Sequence, residues 1–130
     1  MHNNAVKFLI ALKNASLFKK ELVFCFFNQF FIKLAKILYK EGLIQDFWIY
    51  KTVQGKFSLV IVLKYTLNLS NLSNLKIVSK PSWSMFLTFK EICKIYEKKS
   101  VLVFSTNKGF LNSFECKKKK IGGKLFFYVK

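Results

Sequence analysis

The 130-residue chain has no arginine, one proline, one histidine, three cysteines and six acidic residues. Cys25, Cys93 and Cys116 lie far apart, and neither a disulfide framework nor a zinc ribbon can be built without clustered pairs. The single histidine, His2, stands next to the start, so no cysteine has a histidine neighbour to activate it as a nucleophile. Glu41 and Asp46 are the only acids close together near the end of an element, with nothing else titratable beside them to complete a catalytic set. No catalytic residue, metal site or cofactor is expected. The most apolar run, Leu22–Ile32, is 11 residues long and is interrupted by Asn28-Gln29. A membrane-spanning helix needs about 20 such residues. The run reads as a core segment.

What the chain does have is apolar mass and positive charge. Hydrophobic residues make up 52% and charged residues 22%, enough for an ordinary core in one domain or two very small ones. Against the six acids stand 23 basic residues, all lysine, for a net charge of +17. Ten lysines fall in residues 1–65 and thirteen in residues 66–130, with three acids in each half, so the charge is not confined to a tail. A compact body this cationic repels itself and is expected to sit against a polyanion. Nucleic acid is the first candidate and an anionic membrane the second. Phenylalanine occurs 16 times. Lysine, phenylalanine, asparagine, isoleucine and tyrosine share A/T-rich codons, which points to a very A/T-rich genome such as an organelle's.

Hydrophobic periodicity gives an α+β chain in two lobes. Residues 4–16 read as an amphipathic helix with Ala5, Val6, Leu9, Ile10 and Leu12 on its apolar face. A strand follows at Leu22–Phe26. Asn28 caps a second helix running to about Lys40, with Phe30, Phe31, Leu34, Ile37 and Leu38 inward and Gly42 ending it. Leu43–Lys51 and Lys56–Tyr65 flank the turn Thr52-Val-Gln-Gly55, and the nearly unbroken apolar run of the second strand makes it central. The expected organisation is an N-terminal lobe over 1–67, a linker over the polar repeat 68–74 and a C-terminal lobe over 75–130. That last lobe opens with a strand at Leu75–Ser79, stopped by Pro81, and a helix whose capping box is Thr88 and Glu91. Val101–Phe104 is a buried strand leading into the loop Ser105-Thr-Asn-Lys-Gly109. A short helical turn covers Ser113–Lys119, and Lys124–Val129 closes the lobe as a strand.

The loop Ser105, Thr106, Asn107, Lys108 and Gly109 gathers hydroxyls, an amide, a cation and a glycine that lets the backbone turn or come close. Such donors suit base edges, sugar hydroxyls and phosphates, although a polar turn after a strand has the same composition. Val103-Phe-Ser-Thr-Asn-Lys-Gly109, followed by Lys120-Ile-Gly-Gly123 and by Tyr128-Val129, resembles ribosomal small-subunit protein eight. Members of that family typically carry Ser-Thr-Ser-Lys-Gly in this loop and often end Lys-Ile-Gly-Gly-Glu, a short strand, Tyr-Val. Lys13-Asn-Ala15 is similar to the family's Arg-Asn-Ala, Leu38-Tyr-Lys-Glu-Gly-Leu-Ile44 to its Leu-Lys-Glu-Glu-Gly-Phe-Ile, and Ile77-Val-Ser-Lys-Pro81 to its Val-Ser-Lys/Arg-Pro. The likeness runs in order along nearly the whole chain. Departures stand at Asn107 (usually Ser), Lys124 (usually Glu), Ser82 and Ser84 (usually Gly and Arg) and Phe86 (usually Tyr).

The resemblance implies a non-enzymatic protein of the small ribosomal subunit that binds the central region of its rRNA and supports assembly. It implies neighbouring ribosomal proteins as further partners. Ser105, Thr106, Lys108 and Gly109 would form the main rRNA-contacting loop, with Asn107 beside them. Lys117, Lys118, Lys119 and Lys120 would neutralise phosphates, with Gly122 and Gly123 holding the run near the loop. Lys13, Asn14 and Lys80 complete the candidate RNA contacts. Phe126, Phe127, Trp48 and Trp83 could stack on bases, but core packing is the better expectation for each. Family-like sequence starts almost at once, so the lysines of the N-terminal segment are not expected to be an import signal. The expected setting is a mitochondrial ribosome with an organelle-encoded gene, or alternatively a plastid one. The rival class is a cationic protein peripheral to an organelle inner membrane.

Overall fold

In the computed structural model of the chain, residues 2–78, 84–94 and 101–129 are described. They form two compact units, Met1–Asn74 and Leu75–Lys130.

The first unit is helix α1 (His2–Leu17), strand β1 (Leu22–Phe26), helix α2 (Gln29–Lys40), then strands β2 (Ile44–Lys51) and β3 (Phe57–Leu63). The antiparallel sheet has the order β1-β3-β2, so the most apolar strand is central, where both neighbours bury it. Ala5, Phe8, Leu9, Leu12 and Ala15 are the buried stripe of α1. Phe8 therefore takes the place in the core that was expected for Ile10, which is 44% exposed. The 3.6-residue period favours positions 5, 8, 12 and 15 over position 10. Asn28 caps α2, its Oδ1 accepting the Phe30 N–H at 2.9 Å, and Gly42 follows the helix at φ +76°. Leu34, Ala35, Ile37 and Leu38 are buried, and the Phe31 ring stacks on Phe8 with centroids 4.6 Å apart. The polar repeat ends in a 3-10 turn over Asn71–Asn74, and its Leu72 is fully buried.

The second unit carries β4 (Leu75–Ile77), β5 (Phe86–Leu87), α3 (Phe89–Cys93), β6 (Val101–Thr106), β7 (Gly109–Asn112), α4 (Ser113–Lys119) and β8 (Gly123–Val129). Its antiparallel sheet runs β4-β8-β6-β7, with β5 also paired to β8. Ile92, Phe104, Leu111, Cys116 and Leu125 form the core between this sheet and the two helices. The capping box is present, with the Glu91 N–H donating to Thr88 Oγ1 and the Thr88 N–H to Glu91 Oε1, both at 3.3 Å.

Two strands were not expected. β5 has two residues and β7 four, too short for alternation to register against their surroundings. Consequently Ser105–Gly109 is not a free loop: Ser105 and Thr106 end β6, Gly109 begins β7, and only Asn107-Lys108 lie between the strands. Phe126 and Phe127 are 1% and 0% exposed and cannot stack on a base; Trp83, like Ser79, Lys80 and Pro81, falls outside the described residues.

Candidate nucleic-acid interface

Sheet register gathers the candidate site in the second unit. Thr106 pairs with Gly109 across the hairpin end, and Gly109 at φ +98° takes the left-handed position that follows the turn. Thr106 Oγ1 donates to the Gly109 carbonyl at 2.8 Å and accepts the Lys108 N–H at 3.2 Å. Its hydroxyl thus builds the turn, leaving exposed Asn107 and Lys108 at the tip. Ser105 lies one step back, between Lys124 of β8 and Phe110 of β7, and Lys124 pairs on its far side with Phe86 of β5. Directly paired residues share a face, so Phe86, Lys124, Ser105 and Phe110 form one row across four strands. Lys124 and Phe86 are exposed, Phe86 at 60%. From the sequence both are named only as departures from the family pattern, because their pairing through β5 and β8 is not visible there.

Gly122 and Gly123 are the seam of this site. A Cβ on Gly123 would lie 2.7 Å from Thr106 Cγ2 and 2.9 Å from the Ser105 carbonyl oxygen. One on Gly122 would lie 2.6 Å from the Leu87 carbonyl oxygen, at the capping end of α3. The bare backbone passes between the hairpin strand and the α3 cap because no side chain fits there.

Lysines 117–119 occupy the last turn of α4, where the helix dipole favours cations, and Lys120 caps it in the left-handed conformation (φ 56°, ψ 47°). The Lys120 N–H donates back to the Cys116 and Lys117 carbonyls, and the Ile121 N–H to Cys116 at 3.0 Å, which turns the chain into the Gly-Gly seam. Lys118, Lys119 and Lys120 are exposed and Lys117 is half-buried. The acids described in this unit, Glu91 and Glu115, sit in the first turns of α3 and α4, where the helix dipole favours them. Asn112 caps α4, its Oδ1 accepting the Glu115 N–H at 2.7 Å.

Lys13 and Asn14 belong to the first unit, on the last turns of α1: Lys13 is half-buried and Asn14 exposed. Lys80 lies outside the described residues. Among the described residues no group of three or more His, Cys, Asp or Glu could hold a metal, and no helix is long and apolar enough to cross a membrane.

A family model described as ribosomal protein S8 matches residues 4–129. The chain belongs to the ribosomal protein S8 family. A small ribosomal subunit protein uS8 of Persephonella marina is 35% identical over 128 residues, 93% of each chain. Small ribosomal subunit protein uS8c of Gnetum parvifolium is 31% identical over 121 residues, 93% of this chain and 94% of the relative. The uS8 of Mesomycoplasma hyopneumoniae is 31% identical over 123 residues, 93% and 91% of the two chains. The α+β architecture, with helices on antiparallel sheets, is consistent with the S8 fold.

Proposed function

We infer that this member of the S8 family grips the central region of small-subunit rRNA with its second unit, in a mitochondrial ribosome. Its coarse role follows from the family: a structural, non-enzymatic constituent of the small ribosomal subunit, bound to rRNA and to neighbouring ribosomal proteins. The finer reading rests on one observation, the Gly122-Gly123 seam that sets the hairpin end and the α3 cap against one backbone. Around that seam, Ser105 and Asn107 present neutral donors, Lys108 and Lys118–Lys120 present cations, and Phe86 presents an open ring. Directed hydrogen bonds hold irregular RNA in register, while lysines release counterions from its phosphates. Lys13 and Asn14 on α1, and Lys80, are further RNA-binding groups.

The test is binding of a cognate rRNA fragment against random RNA. Changing Lys117–Lys120 to Gln should weaken both RNAs alike and flatten the salt dependence, by about 0.7–0.9 in log–log slope for each phosphate no longer neutralised. An unchanged slope would show the run to be a solvated helix end. The mitochondrial setting is favoured by the extreme lysine and phenylalanine bias, with a plastid as the alternative. Sequencing the rRNA that co-purifies with the protein decides between them.

A further inference from the structure

The sheet of the first unit has one face that the ribosomal reading leaves unused. Phe47, whose ring meets Tyr39 of α2 edge-on at 5.9 Å, marks the helix-facing side. Alternation sends the neighbouring strand positions the other way. Register then lays out three rows on the outer face: Leu22, Val62 and Asp46; Phe24, Val60 and Trp48; Phe26, Ser58 and Tyr50. Phe26 is 88% exposed, Phe24 64%, Trp48 44%, Leu22 41% and Tyr50 38%. A contiguous apolar face of this kind on a small protein marks an interaction surface.

Its charge says what kind. The chain carries 23 lysines, yet none stands among these nine positions, and Asp46 is the only charged residue there. Lys20 lines a hollow with Leu22 and Phe24 and Lys7 one with Phe26, both at the β1 margin; across the rows themselves, where an RNA backbone or an anionic bilayer would need cations, the one charge is a carboxylate. The Asp46 carboxylate is exposed and accepts the N–H of its own neighbour Phe47 at 2.8 Å. We propose that this face docks a neighbouring protein of the small subunit, one that presents an apolar surface with a lysine or arginine opposite Asp46. β1 is the outer strand of its sheet, and among the described residues it pairs with β3 alone.

The proposal rests on the ribosomal reading, and the experiment keeps the two apart. Full-length chain with p-benzoylphenylalanine in place of Phe26 is assembled into small subunits and irradiated. Sedimentation is read first: a labelled chain absent from the subunit overturns both readings. Within sedimented subunits, the expected product is a cross-link to a peptide of another protein that contains lysine or arginine. Asp46→Lys should reduce its yield about tenfold by like-charge repulsion, and Asp46→Glu should retain it. Asp46→Asn, read beside them, guards against a folding defect, and thermal melts with cognate-rRNA affinity serve as controls. Cross-links to rRNA, lipid or a second copy of this chain, or none at all, overturn the proposal while leaving the ribosomal reading intact. So does a yield indifferent to the charge at position 46.

Discussion

The hydroxyl of Thr106 is occupied inside its own turn, whereas Ser105 Oγ has no hydrogen-bond partner among the described residues. The two side chains are adjacent in sequence and should fail in different ways. Thr106→Val removes both turn bonds and should lower stability by about 1 kcal/mol, read as a drop in Tm. Ser105→Ala should leave the melt unchanged and weaken cognate rRNA by about 1–3 kcal/mol while sparing random RNA. Equal loss on both RNAs would remove Ser105 from the reading site. Lys120 gives a third separation. Its left-handed backbone costs an L-residue about 1–2 kcal/mol, partly offset by the entropy glycine would lose, so Lys120→Gly should raise Tm while reducing RNA affinity. At Cys25, burial pushes the thiol up to about 11 from its ordinary 9.0. A raised thiol pKa favours the neutral folded form, so its contribution is complete below pH 9 and fades as pH rises towards 11. Alkylation near neutral pH should therefore mark exposed Cys93 before Cys25, as peptide mapping would show.

Among the elements, those with a long period or a strong cap were legible. α2 declared itself through Asn28, an apolar face every three to four residues and Gly42; the Thr88–Glu91 box announced α3. β3 was readable as central from its continuous apolar run. The Ser105–Gly109 segment was legible in composition but not in shape. β7 is four residues long, and two of them, Leu111 and Asn112, are buried by tertiary packing that no local pattern encodes. The same limit hid the place of Phe86 and Lys124 beside Ser105, which they reach only through pairing across β8. The outer face of β1 was hidden for the opposite reason: Leu22–Phe26 is apolar on both sides, so sequence alone assigned all of it to a core.

For the molecule as a whole, the net charge of +17 sets two salt dependences of opposite sign. Free protein is destabilised by its own repulsion, so adding salt from about 0.05 to 0.5 M should raise its Tm by screening. Affinity for rRNA should fall over the same range, because counterions released into concentrated salt gain less entropy. Calorimetry and filter binding across one salt series check both. A Tm that falls with salt would mean that ion pairs, not repulsion, dominate the free protein.

The seam at Gly122-Gly123 carries a consequence at the level of heredity. Glycine codons begin with two guanines, and a genome drifting towards A and T steadily converts them to codons for serine, aspartate, valine and others. Every such product adds a Cβ where 2.6 Å and 2.7 Å are all the room there is. A drift towards A and T can therefore change these two codons silently only at the third base; at the first two bases it has no neutral exit. Saturation mutagenesis there, scored by incorporation into small subunits, should recover glycine alone, while Lys118 and Lys119 tolerate most residues singly.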